Sequence, residues 1–445
     1  MRIKLSTDKV QLFSFFLLIS FIGSLLLSLP AVYKSGVSIG YLDALFTAVS
    51  AVCVTGLSTV SMDIYTPFGF VIIMVIIQLG GLGIISFVSL YLVNPRKRVS
   101  LVNRGVIKDF FIDDVESNPK TILRSIITFT LMIELLCSVF LYFAFKRENS
   151  AQPLLDALFH SVSAFCNAGF STYQESLALF SGNKIIIGIV VILIVSGGLG
   201  FIVLTDILNS IILRKKRLAY HSKIVLIVTA FLIGFSSVFF LVVEYNGAFA
   251  LMSLPDKIFN TVLQAITPRT AGFATVSQSI FSPIVQFCTV ILMFIGGSPG
   301  SIAGGVKTTT FIVVVLYAIR GNTERTGLNM KKRNVETATV EKAFSIVSKS
   351  AMIIFGSISL LLISESTSLG NGTFSIFDLI FEVVSAFATV GLSLGVTSEL
   401  TVWGKIIIIC TMFIGRTGIF AMALGFARNE DERFFEYPSA TILIG

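Results

Sequence analysis

The chain has 445 residues, of which 54% are hydrophobic and only 13% charged, with a net charge of +8. A soluble chain carries about 25% charged residues to solvate its surface, so this composition excludes an ordinary cytosolic enzyme and makes lipid the solvent. The basic residues gather in a few short segments, as the charge rule for membrane loops expects, rather than along a nucleic-acid-binding stripe.

The N-terminus, MRIKLSTDKV followed by an apolar run to Leu29, imitates a secretion signal. No A-x-A site follows and the run approaches spanning length, so a transmembrane helix is predicted. Apolar segments then recur in pairs: 11–30 and 68–93, 122–145 and 184–213, 223–245 and 283–319, 344–364 and 401–427. Between the members of each pair lies one repeated unit. The four copies are LDALFTAVSAVCVTGLS (42–58), LDALFHSVSAFCNAGFS (155–171), PDKIFNTVLQAITPRTAGFAT (255–275) and FDLIFEVVSAFATVGLS (377–393). Each begins at an aspartate (Asp43, Asp156, Asp256, Asp378) and ends at a glycine (Gly56, Gly169, Gly272, Gly391), 13 residues on in three copies and 16 in the third. A polar residue follows each aspartate by four: Thr47, His160, Asn260 and Glu382.

A dozen helical residues reach about 18 Å, too short for a core near 30 Å, so each unit must enter and return. Such a backbone is tolerated only where protein or a wet cavity surrounds it. The expected architecture is therefore an all-α polytopic membrane protein. It has eight spanning helices in four helix–pore-helix–helix repeats around a pseudo-fourfold pore. The repeats are 1–93, 94–213, 214–320 and 321–445. Of 33 Lys and Arg, 24 fall on the side that holds both termini and 6 on the other. That bias places both termini in the cytoplasm, and the half-helices enter from outside.

A half-helix entering from outside points its partly negative C-terminus at the bilayer middle. The loops that follow are Val54-Thr55-Gly56, Asn167-Ala168-Gly169, Thr270-Ala271-Gly272 and Thr389-Val390-Gly391. Glycine permits the backbone angles that turn carbonyls toward one axis, and rings of carbonyls replace the hydration shell of a potassium ion. No acidic ring appears in these loops, which argues against a divalent-cation filter. One Thr-x-Gly turn alone is a common packing feature; four in register favour a pore lining.

Each second spanning segment carries a glycine cluster: Gly80-Gly81-Leu82-Gly83, Gly197-Gly198-Leu199-Gly200, Gly296-Gly297-Ser298-Pro299-Gly300 and Gly415-Arg416-Thr417-Gly418. Close helix packing explains the first two. The third opens GGSPGSIAGGVKTTT (296–310), with Ser301, Gly304, Gly305 and Lys307 after its proline. That composition breaks a helix inside the membrane, just inward of the third loop, where it is placed to block or open a pore. Arg416, about 20 Å into the last helix, should face the interior, because an arginine at the bilayer centre costs at least ~2.5–3.5 kcal/mol. Lys307 either joins it or snorkels to the cytoplasm. Asp206 and Glu134 are further intramembrane candidates, for which a helix-end or partner-facing role serves equally.

With these motifs the chain resembles the membrane subunit of the Ktr/Trk/HKT potassium-transporter superfamily, nearest its bacterial Ktr type, over nearly its whole length. The resemblance implies a filter with one glycine per repeat, at Gly56, Gly169, Gly272 and Gly391. It also implies that the loop 296–310 is an intramembrane gate, contacted by Arg416. Relatives with serine in the first loop tend toward sodium; Gly56 stands there in this chain. Cys166-Asn167 and Thr267-Pro268-Arg269 are looser matches to a generic filter. The resemblance further implies a homodimer, a separate cytoplasmic ring that binds the regulatory nucleotide, and docking of the tail from Tyr437-Pro438 to Gly445 at the dimer interface. It leaves sodium dependence open, since no residue displays it.

Competing motifs weaken on inspection. Gly391 to Gly395 and Gly296 to Gly300 both match GxSxG, but only His160 and His221 exist as bases, and repeat position explains both. Residues 300–308 approach a phosphate loop, but Val306 separates Gly305 from Lys307, so no nucleotide site is expected in this chain. The five cysteines form no CxxC pair and read as apolar packing residues. Lys331-Lys332-Arg333 reads as topology signal and partner contact ahead of anionic-lipid binding. The expected function is potassium uptake across a bacterial cytoplasmic membrane, with no enzymatic activity and no nucleic-acid partner. The alternatives are an ion-coupled transporter of another solute and a sodium-preferring member of the same superfamily.

Overall fold

The structure is a computed structural model that describes residues 7–93, 119–212, 218–320, 328–330 and 333–418. The basic segment 94–118, Lys331 and Lys332, and the tail with its expected docking role lie outside the described residues.

The described chain is helical except for one antiparallel hairpin, β1 (Leu328–Met330) with β2 (Arg333–Val335). A long helix, a short helix, an extended return and a further helix follow one another four times. The first set is α1 (Thr7–Leu27), α2 (Tyr41–Cys53) and α3 (Pro67–Val93). The second is α4 (Pro119–Arg147), α5 (Pro153–Phe165), α6 (Lys184–Leu199) and α7 (Phe201–Ile212). The third is α8 (Tyr220–Glu244), α9 (Leu254–Ile266), α10 (Pro283–Phe294) and α11 (Thr308–Arg320). The fourth is α12 (Thr337–Ser364), the single turn α13 (Ser366–Gly370), α14 (Ile376–Ala388) and α15 (Val402–Phe413), which runs into a π-helical turn, Ile414–Gly418.

By length and composition, three described segments can cross a membrane: Arg124–Arg147, Tyr220–Glu244 and Thr337–Ser364. A fourth is the pair α6 and α7 if taken as one span, bent by 106°. Their exteriors are apolar, as a lipid-facing surface requires: Leu135, Phe143, Phe231, Phe235, Val242 and Phe355 are all more than half exposed.

The short helices α2, α5, α9 and α14 are each 13 residues long and form the core. At 1.5 Å per residue each reaches about 20 Å, so it turns back inside the molecule. Their aromatic side chains Phe46, Phe159, Phe165, Phe381 and Phe387 are fully buried. The third copy's three extra residues are absorbed after the helix, in the turn Thr267 to Thr270.

Packing runs in one direction around the molecule. The second helix of each set lies on the short helix of the next: α3 on α5, α6 on α9, α10 on α14 and α15 on α2. The last contact closes a ring between the ends of the chain. Glutamates clasp the outer ends of three sets. Glu148 accepts from Asn183 at 2.7 Å, Glu244 from Ser282 Oγ at 2.5 Å, and Glu365 from Thr401 Oγ1 at 2.6 Å. Each tethers the first long helix of its set to the start of the second.

Candidate functional site: a ring of four loops and the loop beneath it

The four loops meet. A Cβ built on Gly56 would stand 2.5 Å from the carbonyl oxygen of Ala168, and one on Gly169 would stand 3.1 Å from that of Ala271. From Gly272 the distance to Val390 O is 2.4 Å, and from Gly391 to Thr55 O it is 2.1 Å. The contacts run from set one through four and back to one, so each glycine leaves room for the next loop's carbonyl. All four glycines have positive φ, from +70° at Gly169 to +94° at Gly56.

Two residues before each glycine, φ is positive again: 57° at Val54, 54° at Asn167, 74° at Thr270 and 52° at Thr389. These are L residues, for which a left-handed conformation costs roughly 1–2 kcal/mol each. Four such residues in register indicate a geometry held for a purpose. Alternating the sign of φ swings consecutive carbonyls toward one side, whereas an ordinary strand sends them to opposite sides.

Hydroxyls from the short helices hold the strained loops. Ser50 Oγ accepts from Gly56 N, and Ser385 Oγ from Gly391 N, both at 3.1 Å. Ser163 Oγ donates to Phe170 O at 2.7 Å, and Thr267 Oγ1 to Phe273 O at 2.5 Å. Of these four, only Thr267 stands out in the sequence, within Thr267-Pro268-Arg269; Ser50, Ser163 and Ser385 do not. The signal was present: a serine six positions before the glycine in three units, with Thr267 five before it in the third. The Asn167 amide, with its nitrogen toward the wall, donates to Ala164 O at 3.1 Å and Ile194 O at 3.2 Å. The buried hydroxyls of Thr55, Thr270 and Thr389 have no partner. Together with the carbonyls they offer oxygen and no carboxylate, a donor set suited to a monovalent cation.

The polar residue one turn after each leading aspartate ties its short helix to the surroundings. His160 Nε2 lies 2.9 Å from Ser171 Oγ, and Glu382 accepts from Ser393 at 2.7 Å and Thr397 at 2.5 Å. Asn260 donates to Ser181 O at 2.8 Å, and Tyr65 to Thr47 Oγ1 at 3.4 Å. The leading aspartates serve the outer rim. Asp43 pairs with Lys405 at 2.7 Å and Asp256 with Lys184 at 3.4 Å. Asp156 accepts from Thr172 at 2.6 Å, and Asp378 completes a capping box with Ser375. A hydrogen bond from Ser253, with Lys184 nearby, holds the Asp256 carboxyl below the usual carboxylate range.

Beneath the ring lies the loop that interrupts the third set between Phe294 and Thr308. Ile295 and Val306 bridge side by side, and Gly296 N donates to Val306 O at 2.9 Å, closing the loop at its base. Its excursion touches the other three sets. A Cβ on the loop's Gly297 would lie 3.0 Å from Gly198 O of set two, and one on Gly200 of set two would lie 2.8 Å from the loop's Pro299 O. One on Gly304 would lie 2.2 Å from Thr389 Oγ1, at the end of the fourth short helix. Ile302 packs against Gly81 of set one. Ser301 Oγ turns back to Ser298 O at 2.6 Å, Gly300 O accepts from Phe201 N at 3.2 Å, and Gly305 has φ of +67°.

Arg416 is 5% exposed and bolts this loop in place. It donates to Ile302 O in the loop and, at 3.1 Å, to Gly80 O in α3. The π-helical turn at Ile414–Gly418 brings it there, a local widening common at functional sites. Lys307 folds back onto Ala303 O at 2.5 Å. Asp206 has the plain helix-end role, accepting from Ala219 N at 2.8 Å before α8.

Glycine clusters that look alike act differently. Gly80, Gly197 and Gly415 each let their helix press on the end of a short helix. Built Cβ atoms there would lie 2.0, 1.9 and 1.9 Å from Val52 O, Phe165 O and Phe387 O. The second cluster also breaks its helix at Gly200, with φ of +85°, which packing alone does not explain. The loop 296–307 supplies the reason: Gly198 O accepts from Ser298 N at 3.0 Å, and Phe201 N is bonded to Gly300 O, so loop groups replace the lost helix bonds.

A helical membrane protein that gathers four backbone loops in a closed ring belongs among the ion-conducting transport proteins. The family model TrkH, described as "Cation transport protein", matches residues 1–437, and the chain belongs to that family. It is 36% identical to the potassium/sodium uptake protein NtpJ of Enterococcus hirae, over 100% of this chain and 99% of that one. It is 33% identical to the Ktr system potassium uptake protein B of Bacillus subtilis, over 100% and 98%. The crystal structure of the potassium transporter TrkH from Vibrio parahaemolyticus superposes with a TM-score of 0.77 at 18% identity, covering 96% of this chain and 86% of that one, a likeness of fold.

Proposed function

We propose that the chain is the membrane subunit of a bacterial potassium uptake system. The observation that carries this reading is the closed ring of Gly56, Gly169, Gly272 and Gly391 against the carbonyls of Thr55, Ala168, Ala271 and Val390. Potassium, the transported ion, sheds water and is held by these oxygens, with Val54, Asn167, Thr270 and Thr389 starting each filter strand. The names of the relatives from Enterococcus and Bacillus favour the same substrate. The "potassium/sodium" in one name also favours a second reading, in which sodium passes or assists.

In this account eight segments span the membrane in the repeats 1–93, 94–213, 214–320 and 321–445, with both termini cytoplasmic. The loop 296–310 is the gate. Closed, it lies across the exit from the filter, and Arg416 and Lys307 add positive charge where a cation would leave. Opening requires the Arg416 bond to Ile302 O to release or shift. A separate cytoplasmic ring that binds nucleotide drives that shift, and the subunit works as a homodimer in lipid. The membrane potential suffices as a power source: one charge gains about 2.3 kcal/mol per 100 mV, while tenfold accumulation costs about 1.4 kcal/mol.

Expression in a bacterium lacking potassium uptake tests the proposal. Growth at low external potassium is expected, with potassium-over-sodium discrimination lost in Gly56→Ser and Gly391→Ser. Unchanged discrimination in both variants at normal membrane abundance contradicts the filter assignment.

A further inference from the structure

Glu134 sits near the middle of the segment Arg124–Arg147, which is long and apolar enough to cross a membrane, yet it is 4% exposed. It belongs to an inward stripe on α4 formed by Ile126, Thr130, Glu134, Ser138, Leu141 and Phe145, all buried, while Leu131, Leu135 and Leu136 face outward. An ionisable side chain at that depth is disfavoured unless it has a partner and a task.

Its partners come from two other elements and close a ring of side chains. Gln78 on α3 donates Nε2 to Glu134 Oε2 at 3.0 Å. The Cys166 thiol donates to Gln78 Oε1 at 3.4 Å and lies 3.9 Å from Glu134 Oε1. A fourth contact binds the same point of α4 to the short helix α5: Ser161 Oγ donates to the Glu134 carbonyl at 2.6 Å. Cys166 is the residue immediately before Asn167, where the second loop enters its left-handed conformation. A Cβ on Gly81 would lie 2.8 Å from the Cys166 sulfur, so the thiol packs in the space that the bare glycine of α3 leaves.

The second loop has reason to need this support. Loops one and four are latched at the glycine itself, through Ser50 to Gly56 N and Ser385 to Gly391 N. Ser163 instead bonds to Phe170 O, beyond the glycine. Cys166 is the last right-handed residue of this unit (φ −72°), directly before Asn167, which is left-handed like its equivalents Val54 and Thr389. The turn into the second loop thus starts directly from Cys166, and Gln78 and Glu134 hold Cys166.

We infer that Glu134, acting through Gln78 and Cys166, is a positioning residue for the second filter loop and sets how well the Ala168 carbonyl fits a potassium ion. The inference rests on the filter reading above. It makes selectivity, rather than assembly alone, depend on a carboxyl that does not touch the ion.

The test is competition of sodium against rubidium uptake in potassium-transport-deficient cells, with membrane abundance measured beside it. Gln78→Leu and Glu134→Leu should each reduce discrimination by about fivefold to tenfold, the range of one hydrogen bond. The double variant should be no worse than the poorer single one, because both break one network. Cys166→Ser, which keeps a donor, should discriminate as the parent does, whereas Cys166→Ala should not; this pair carries the test if the leucine variants fail to accumulate. Parental discrimination in Cys166→Ala and in every leucine variant that accumulates overturns the inference, provided that Gly391→Ser still loses it. Retained discrimination in Gly391→Ser as well overturns the filter reading instead. A fall in uptake rate with unchanged discrimination also overturns the inference, since it reports packing alone.

Discussion

Gly391 and Gly169 occupy equivalent places in the ring but tolerate a side chain unequally. A Cβ on Gly391 would lie 2.1 Å from Thr55 O, so a backbone must move, whereas one on Gly169 meets nothing nearer than 3.0 Å. Both positions have positive φ, so both substitutions are strained. Gly391→Ser is therefore expected to abolish potassium-over-sodium discrimination, and Gly169→Ser to retain part of it, in the same competition assay. Equal retention in both would show that the carbonyl ring is not what selects. The glycines themselves were legible because they recur at fixed spacing. Of their supporting hydroxyls, Thr267 was named only as part of Thr267-Pro268-Arg269, and Ser50, Ser163 and Ser385 were not singled out, since serine and threonine in apolar helices commonly bond their own backbone. Only alignment on the glycine separates them from that background.

Gly80-Gly81-Leu82-Gly83 and Gly197-Gly198-Leu199-Gly200 are the same four-residue motif, yet α3 runs straight through the first and α6 stops at the second. Local propensity is identical in the two cases, so the decision is tertiary. The carbonyls of Pro299 and Gly300 crowd Gly200, and the loop's own groups take over the broken helix bonds. Gly200→Ala places a Cβ 2.8 Å from Pro299 O at a positive φ. It should loosen the loop 296–310 and raise sodium and potassium leak in energised cells, as should deletion of residues 300–305. Unaltered leak in both would argue that this loop does not close the pathway. The short helices, by contrast, were legible almost to their ends. An acidic residue at the start, an apolar face and a glycine turn bound each of them, and all four are 13 residues long. The three extra residues of the third copy were visible in its Asp-to-Gly spacing of 16, but their place after the helix was not.

Ring closure is the demand that chain order cannot meet, because the first and fourth sets are joined by no direct linker. The structure meets it with the packing of α15 on α2, the approach of Gly391 to Thr55 and the rim pair Lys405 with Asp43. That pair is partly buried, with side chains 16% and 20% exposed, and Thr59 also donates to Asp43 at 2.7 Å. Lys405→Met should lower stability by about 1 kcal/mol or less, seen as an earlier melting midpoint in detergent. Salt should narrow the difference from the parent, and discrimination should be unchanged. A loss of discrimination without a change in melting would assign Lys405 to the ion path rather than to the seam. Membrane class followed from composition; the direction of packing around the ring did not, because it depends on which glycine admits which carbonyl.

In the proposed filter, backbone oxygens from four separated segments hold one dehydrated monovalent cation. A crystal grown with thallium in place of potassium tests it most directly, because thallium substitutes for potassium and scatters anomalously. Anomalous density is expected on the axis among the carbonyls of Thr55, Ala168, Ala271 and Val390, and should vanish when thallium is exchanged for a non-permeant organic cation. Bound thallium elsewhere in the molecule, with none within that ring, would contradict the account.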